Sequence, residues 1–387
     1  MEQVSLKRKK QRKRSDMYPQ VVINKKQIIE NVNAIRNKTS KHDVTVTAVT
    51  KCLAGNVEIA QAFIDAGITK LGDSRIYNLK KLAKLHCETW LIRLPMLSEC
   101  SDVVRYADVS LNSELVTIQR LNEEATKLDK VHGIVLMVDV GDLREGIFVG
   151  GGALMSAENE NLAEKTHGEL YNIIECILEM KHVKLLGFGT NSTCYGSTIP
   201  EKDTFQRMLQ LVEEVEEKYG IKSEVVSGGN SSCYYLLEEN ELPEGITNMR
   251  LGELILFGRE CSYHIEYPYL HQDNVILKTE VIEVKKKPSY PIGKIGMNSF
   301  GEVCSYEDKG IRTRVIVAIG QQDISLNHLK PIDEGVTIEG ASSDHMMLDV
   351  TDALTEYTVG DIIEFVCDYA STLALCTSEY IETKIIE

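Results

Sequence analysis

The sequence predicts an α/β protein in which a (β/α)8 TIM barrel, residues 17–258, is followed by a C-terminal β-rich domain, residues 259–387. Between residues 44 and 258, short apolar runs alternate with amphipathic stretches. Such alternation is typical of parallel strands that are buried on both faces and separated by helices. After about residue 260 the pattern changes to short strands separated by Gly or Pro turns, with no long helical segment between them.

The predicted barrel strands are rich in Val, Ile, Leu and Thr, and eight strand-then-helix units in this length fit a closed barrel. They comprise residues 44–51, 69–74, 89–94, 107–113, 134–140, 185–191, 224–230 and 249–258. The C-terminal strands are predicted over residues 275–284, 312–319, 335–339, 346–350, 361–367 and 379–386. Helical spacing of apolar residues predicts helices over 57–66, 113–128 and 204–219, with Ser113 as an N-cap. A doubly wound sheet would need fewer strands and a glycine-rich phosphate fingerprint, which the sequence lacks.

Charge and composition exclude several classes of protein. Hydrophobic residues make up 43% of the chain and charged residues 26%, as in ordinary globular domains. The formal net charge is −15 although residues 7–14 read KRKKQRKR, so the remainder of the chain is strongly acidic. An acidic body repels nucleic-acid phosphates, and we expect no nucleic-acid partner. Residues 1–16 are predicted to form a basic, disordered tail. The alternatives are a localisation signal, a patch that binds an anionic surface, or a translation start wrongly placed upstream of Met17.

No segment or motif points to a membrane or to several common enzyme classes. No apolar run is long enough to span a membrane, and no apolar segment follows the basic N-terminus as in a secretory signal. The ten cysteines are scattered without a C-x-x-C pair, which favours reduced thiols and a cytoplasmic location. The motifs of zincins, phosphate-loop nucleotidases and ordinary dinucleotide binders are absent.

Polar and cationic side chains collect at the predicted carboxyl ends of the barrel strands, where barrel enzymes place their active sites. These residues are Lys51, Asp73, Ser74, Arg75, Arg93, Asn112, Ser113, Asn191, Asn230 and Ser231, with Arg144 just past the fifth strand and Arg250 early in the eighth. One lysine among several cations and small hydrogen-bonding groups suits an anionic, phosphate-bearing ligand. Lys51 directly follows the run VTVTAVT, and an amine desolvated there would favour the neutral form that Schiff-base chemistry requires. A surface lysine that ends a strand is the alternative.

Several motifs resemble the pyridoxal-phosphate-dependent family of the alanine racemase fold type. VTAVTKCLAGN is similar to the segment that carries this family's cofactor-binding lysine. The motifs most similar to the ornithine racemase branch are TKLGDSRIYNLKKL, GFGTNSTCYGSTIP, MRLGELILFG and GASSDHMMLDVTD. The resemblance extends from Met17 over nearly the whole chain. It implies a pyridoxal-phosphate-binding barrel followed by a β domain, in agreement with the strand pattern.

The resemblance also implies the two acid/base groups of a racemase. Lys51 matches the lysine that forms a Schiff base with pyridoxal 5'-phosphate and acts as one of them. Tyr290, in KKKPSYPIG, matches the tyrosine that supplies the second base from the partner subunit, so an active enzyme would be a homodimer. Pro291 stands where the family usually has glycine. An ordinary turn tyrosine is the alternative for Tyr290.

The remaining cofactor contacts follow from the same resemblance. Arg250 matches the arginine that faces the pyridine nitrogen, where a permanent cation disfavours protonation of the ring. The phosphate and ring contacts are expected from Asn191, Asn230, Ser231, the backbone N–H groups of Gly252 and Glu253, and Tyr380. Helix capping and core packing are the alternatives for Ser231 and Tyr380. Two departures argue against a plain alanine racemase: Gly55 replaces a phosphate-binding tyrosine, and Asn191 replaces a ring-stacking histidine.

Substrate contacts are expected from Arg144, Ser343 and Asp344. Arg144, in VDVGDLREG, matches the arginine near the substrate carboxylate, and Asp344 is a candidate for binding the distal ammonium of a basic amino acid. Asp73 is a comparable candidate, and a turn-capping role is the alternative for Asp344. No histidine cluster supports a metal site.

The sequence therefore predicts a cytoplasmic, homodimeric, pyridoxal-phosphate-dependent amino-acid racemase, with L- and D-ornithine as the expected substrates. The alternatives on the same scaffold are a racemase for lysine, alanine or serine and a D-amino-acid lyase. A non-catalytic pyridoxal-phosphate carrier is a further alternative, although such a carrier would need neither the β domain nor Tyr290.

Overall fold

The computed structural model describes residues 17–150 and 155–387. The predicted basic tail, residues 1–16, lies outside the described residues. The chain divides into two compact units, which we call the barrel unit (Asn24–Asn274) and the β unit (the described residues up to Ile23 together with Val275–Ile386). No helix of the described residues is both long and apolar enough to cross a membrane.

The strands and helices of the described residues alternate in the first part of the chain and become mostly strands in the second. The strands are β1 (Gln20–Asn24), β2 (Thr45–Val49), β3 (Lys70–Asp73), β4 (Glu88–Leu91), β5 (Val109–Asn112), β6 (His132–Asp139), β7 (Ile147–Phe148), β8 (Val183–Gly189), β9 (Val225–Ser227), β10 (Asn248–Leu251), β11 (Val275–Pro288), β12 (Ile311–Val317), β13 (Leu329–Pro331), β14 (Thr337–Ala341), β15 (Met346–Asp349), β16 (Ile362–Cys367) and β17 (Glu382–Ile386). The α-helices are α1 (Lys25–Thr39), α2 (Val57–Asp65), α3 (Ile76–Leu82), α4 (Cys100–Tyr106), α5 (Leu115–Lys127), α6 (Ala157–Glu179), α7 (Lys202–Tyr219), α8 (Tyr234–Glu238), α9 (Glu253–Phe257) and α10 (Tyr369–Thr377). Short 3-10 turns lie at Ser40–His42, Lys51–Leu53, Leu97–Glu99, Ser231–Cys233 and Leu326–His328.

A closed parallel barrel forms the centre of the barrel unit. Eight strands of the described residues pair in the order β5-β4-β3-β2-β10-β9-β8-β6, and the ring closes because β6 also pairs with β5. The neighbouring strands run parallel. Trp90, Val109, Leu111, Val135 and Met137 pack in its buried core together with Val225. This arrangement confirms the predicted (β/α)8 barrel and directs the carboxyl ends of the strands to one face.

Two local predictions within the barrel are wrong. The run 249–258 was predicted as one strand, but only Asn248–Leu251 is a strand and Glu253–Phe257 is a helix. Because Leu254–Phe257 are all buried, their continuous apolar run does not distinguish a buried strand from a buried helical turn. Ser113 is not an N-cap, since α5 begins after Glu114 and has no side-chain cap. Helices α2 and α7 lie where helical spacing predicted them.

His132, at the start of β6, makes the barrel sensitive to acid. Its Nε2 lies 2.7 Å from Ser110 Oγ, and burial lowers the pKa of His132 from 6.5 to about 4. The unfolded chain therefore binds more protons than the folded chain between these two values, and stability falls as the pH drops through that window. We expect His132 to add about 1.4 kcal/mol per pH unit to the slope of the unfolding free energy there.

Urea unfolding at a series of pH values from neutral to mildly acidic would measure this slope for the natural chain and for His132→Gln, which does not titrate. The variant should show the smaller slope, and identical slopes would refute the assignment.

The β unit is a mostly antiparallel sheet. Its strands pair in the order β13-β16-β11-β12-β15-β14, and β1 pairs with both β11 and β17. The pairings of β11 with β1, β12 and β16 are antiparallel. This confirms the β-rich C-terminal part. The sequence did not predict β1, which joins this sheet although more than 200 residues separate it from β11.

Candidate active site

Lys51 is the second residue of a short turn at the carboxyl end of β2. The turn comprises residues 50–55, which we call the Lys51 turn. Ala54 N donates to Lys51 O at 3.1 Å and Gly55 N to Thr50 O at 3.2 Å. The Lys51 side chain is partly exposed at this end of the barrel. A lysine directly after a buried strand therefore lies on the face where the barrel presents its reactive groups.

The structure explains why residue 55 is glycine and not the tyrosine that the resemblance to alanine racemases would lead one to expect. Its φ is +64°, a conformation that favours glycine. A Cβ at this position would lie 2.7 Å from the Cβ of Asn78. Asn78 therefore occupies the space that a side chain at residue 55 would need.

Arg250, on β10, is a buried cation. Its Nη1 donates to Ser227 Oγ at 2.6 Å, and its Nη2 donates to Thr190 O at 2.7 Å and to Asn191 Oδ1 at 3.4 Å. Burial lowers the pKa of Arg250, opposed mainly by the negative charge of Glu145, and a guanidinium remains protonated in proteins. These hydrogen-bond partners are all neutral, so a negatively charged ligand beside Arg250 would offset much of the penalty for burying its charge.

The segment after β8 supplies polar groups beside Arg250. Asn230 Nδ2 donates to Ser192 O at 2.9 Å and to Asn191 Oδ1 at 3.3 Å. Within the described residues, Thr190 Oγ1, Asn191 Nδ2 and Ser192 Oγ are buried and make no hydrogen bond. Buried polar atoms are normally paired, so this cluster favours a polar ligand at this end of the barrel.

Ser231, Gly252 and Glu253 come together where β9 and β10 end. Ser231 Oγ accepts a hydrogen bond from Leu254 N at 3.2 Å, which leaves its own proton available to a ligand. A Cβ at Gly252 would lie 3.0 Å from Val49 Cβ, so glycine lets this backbone approach β2 closely. The structure thus brings together the three barrel residues that the sequence predicted around a phosphate. Tyr380 belongs to the β unit, where it is 76% exposed.

Arg144 is paired with Glu145, which sequence reasoning missed. Both Nε and Nη2 of Arg144 donate to the carboxylate of Glu145. Burial opposes the charge on Arg144, but the hydrogen bonds to Glu145 and the neighbouring negative charges together outweigh it and raise the pKa of Arg144. The opposite charges of two adjacent residues in LREG were the sequence signal that could have indicated this ion pair. One edge of the guanidinium is therefore already occupied, and only the other can meet a substrate carboxylate.

The candidate residues of the β unit lie on exposed segments. Tyr290 is 43% exposed, and its ring meets that of Tyr306 edge-on at 6.4 Å between centroids. Asp344 Oδ1 accepts hydrogen bonds from His345 Nδ1 at 2.8 Å and from the hydroxyls of Ser342 and Ser343 at 3.3 and 3.4 Å. The hydrogen bond from His345 lowers the pKa of Asp344, so this exposed carboxylate is anionic at neutral pH.

No group of His, Cys, Asp and Glu side chains in the described residues is arranged to hold a metal ion. The donor set at the strand ends consists of an amine, a guanidinium, hydroxyls, amides and backbone N–H groups. Such groups bind anions and carbonyl compounds well. They fit a phosphate-bearing aldehyde such as pyridoxal phosphate, which Lys51, Ser231, Gly252 and Arg250 would hold.

A parallel barrel with a lysine at the end of its first barrel strand, joined to an antiparallel β unit, defines the alanine racemase class of fold. Residues 23–161 match the family model "Alanine racemase, N-terminal domain". The alanine racemase of Clostridium difficile 630 in complex with cycloserine shares this fold, with a TM-score of 0.69 at 16% identity and 96% of each chain covered.

Two curated relatives show which members of the family this chain is similar to. An ornithine racemase of Acetoanaerobium sticklandii is 44% identical over 370 residues, which is 96% of this chain and 100% of the relative. A lysine racemase of Thermotoga maritima is 37% identical over 373 residues, 96% of this chain and 99% of the relative. The chain belongs to this family of amino-acid racemases.

Proposed function

We propose that this chain is a pyridoxal 5'-phosphate-dependent racemase that interconverts L- and D-ornithine, with Lys51 and the partner subunit's Tyr290 as its two bases. The observation that carries the proposal is the position of Lys51 at the carboxyl end of β2, on the same barrel face as the buried cation Arg250. Its family membership and the 44% identity to an ornithine racemase support the choice of reaction.

The chain's own residues divide the work of binding and proton transfer. Ser231 and the backbone at Gly252 and Glu253 would hold the phosphate, while Arg250 would lie against the ring. When bound, pyridoxal phosphate makes the Cα–H of an attached amino acid acidic. Lys51 Nζ would move a proton at one face of Cα, and the partner's Tyr290 Oη would move one at the opposite face.

A homodimer is supported by the apolar surface around Tyr290. In the segment 290–306, Ile292 is 92% exposed, Met297 72% and Val303 77%. A cluster of exposed apolar side chains is typical of a surface that another protein covers. We infer that a second copy of this chain covers it, which would bring Tyr290 to the partner's Lys51.

The proposed substrate carries a carboxylate and a distal ammonium. Arg144 would meet the carboxylate through the guanidinium edge that Glu145 leaves available, and the exposed Asp344 with Ser343 would meet the ammonium. Lysine is the second candidate substrate, because a lysine racemase is 37% identical to this chain and both amino acids end in an ammonium.

The cysteines bear on the proposed location. In the described residues the ten cysteines are free thiols, in keeping with a cytoplasmic location.

A substrate panel tests this proposal. The full chain loaded with pyridoxal phosphate should racemise ornithine best, followed by lysine, with alanine and serine far behind, as measured by chiral chromatography. Asp344→Asn should lower kcat/KM for ornithine about tenfold to a hundredfold, because a hydrogen bond to a charged group is lost.

Alanine is the internal control, since it lacks a distal ammonium and its slow turnover should not respond to Asp344→Asn. A preference for alanine would overturn the ornithine assignment, and cleavage of the Cα–Cβ bond instead of inversion would indicate a lyase. Loaded cofactor without any turnover would indicate a carrier.

A further inference from the structure

Asp73, the last residue of β3, is a buried carboxylate to which the proposed racemase chemistry gives no role. Its side chain is fully buried. Oδ1 accepts hydrogen bonds from Arg75 N at 2.9 Å and from Asn78 Nδ2 at 3.0 Å. Oδ2 accepts one from Thr50 Oγ1 at 2.7 Å. Asp73 is therefore closed to solvent and already accepts three hydrogen bonds, which makes it a poor binding group for a substrate ammonium.

The Asp73 carboxylate fastens the beginning of the Lys51 turn. Thr50 directly precedes Lys51 and is buried. Its hydroxyl has one proton, which lies nearer to Asp73 Oδ2 (2.7 Å) than to Gly72 O (3.3 Å). Thr50 N also donates to Gly72 O at 2.9 Å. The residue before Lys51 is thus fixed to the end of β3 through both its backbone and its side chain.

The same carboxylate fastens the end of the turn indirectly. Asn78, which donates to Asp73, lies against Gly55 so closely that no Cβ fits there. Lys81 Nζ donates to Ala54 O at 2.8 Å from the same helix, α3. Both ends of the Lys51 turn are consequently held by β3 and α3, with Asp73 at the centre of the hydrogen-bond network.

Asp73 and Lys51 also interact through their charges. Burial raises the pKa of Asp73, while its three hydrogen bonds and the positive charge of Lys51 oppose that rise. The attraction acts in both directions, so a charged Asp73 favours the position of the Lys51 side chain on this side of the barrel end.

We propose that Asp73 is a positioning residue that holds Lys51 for attachment to the cofactor, acting through Thr50 and Asn78 and through its own buried charge. This inference rests on the proposed function, since it assumes that Lys51 bonds to pyridoxal phosphate. It assigns no contact between Asp73 and the substrate.

Three threonine variants of the full chain isolate the Asp73–Thr50 link. Thr50→Val removes the hydroxyl at nearly constant volume, and Thr50→Ser keeps it. Thr89→Val is the matched control, because Thr89 Oγ1 donates to Asp108 Oδ2 at 3.0 Å at the amino end of the neighbouring strand β4. Thr50→Val and Thr89→Val each remove one threonine–aspartate hydrogen bond, which is buried at Thr50 and partly buried at Thr89. A loss of stability alone would therefore act at either end of the barrel.

The first measurement is the rate at which pyridoxal 5'-phosphate becomes bonded to Lys51 in the cofactor-free full chain. The lysine amine condenses with the aldehyde and water leaves. Borohydride then reduces the carbon–nitrogen double bond, and mass spectrometry locates the product. The second measurement is kcat and KM for ornithine, and the third is Tm.

Thr50→Val should slow attachment and lower kcat by about tenfold or more with KM nearly unchanged, because small displacements of a reacting group have large effects on rate. Asp73→Asn should slow both by about a hundredfold, since it also loses the charge and places an N–H group against other donors. Thr50→Ser should stay within about threefold of the natural chain, and Thr89→Val should lower Tm without changing kcat.

Equal kinetics for Thr50→Val and Thr89→Val would overturn the positioning role. If the natural chain attaches the cofactor but does not racemise ornithine, the proposed function fails while the attachment rates still decide the role of Asp73. If the natural chain never attaches the cofactor at Lys51, both proposals fail.

Discussion

Replacing Lys51 by alanine is expected to abolish both attachment of pyridoxal phosphate and racemisation. The variant loses the amine that the candidate site offers to the cofactor from the end of β2, and this amine is also one of the two proposed bases. We expect racemisation to fall by roughly four orders of magnitude or more, because a covalent anchor and an acid/base group disappear together. Chiral chromatography with ornithine, and the visible absorption of the cofactor–lysine bond, measure the two losses.

The fold should survive this substitution. The hydrogen bonds described above for the Lys51 turn come from backbone groups, from Thr50 and from Lys81, and the substitution removes none of these groups. Lys70→Ala is the matched control, since Lys70 begins β3 at the other end of the barrel, where its Nζ lies 3.8 Å from Glu88 Oε1. It should racemise within about twofold of the natural chain, because partly exposed ion pairs contribute little. Racemisation by Lys51→Ala at the natural rate would refute the proposed role.

The sequence predicted the barrel well because buried parallel strands carry their signal locally. Each strand is a short apolar run, and the residue at its carboxyl end, such as Lys51 after β2, is fixed to the active face by chain direction alone. Pairing between strands that are far apart in the sequence leaves no such local signal. The strand β1 joins β11 within the β unit although the two strands are far apart in the sequence, and only hydrogen bonds between distant residues decide that.

The site was predictable as a set of residue types but not as a network of contacts. Arg250 was expected in the eighth strand as part of the site, yet its bonds to Ser227 and Thr190 depend on the spacing of three neighbouring strands. Glu145 and Asn78 were missed for the same reason, because their importance comes from what they touch. The roles of residues in the β unit, Tyr290 above all, came from family resemblance and stay predictions until they are tested.

Replacing Tyr290 by phenylalanine should separate the two faces of the proposed reaction. The ring and its edge-on contact with Tyr306 are kept, and only the hydroxyl is lost. Racemisation should fall by about 10² to 10⁴, the usual contribution of one acid/base group, while attachment of the cofactor to Lys51 continues. Tyr306→Phe, which removes a neighbouring hydroxyl, is the matched control and should stay within about twofold of the natural rate.

Proton exchange in deuterated water distinguishes loss of one base from general damage. If Lys51 serves one face of Cα and the partner's Tyr290 the other, Tyr290→Phe should still exchange the α-proton of one ornithine enantiomer, with retention of configuration. The other enantiomer should exchange slowly. Equal slowing for both enantiomers would contradict the division of faces, since a single base would then serve both directions.

Mixing the two inactive variants tests whether the site is shared between subunits. Suppose that each site takes its lysine from one chain and its tyrosine from the other. A dimer of one Lys51→Ala chain and one Tyr290→Phe chain then contains one site that has lost both groups and one site in which both groups are intact. Random exchange of subunits should therefore restore about a quarter of the natural activity. If both groups came from the same chain, every site in the mixed dimer would lack one of them and no activity would return. The recovered activity thus reports directly which subunit supplies Tyr290.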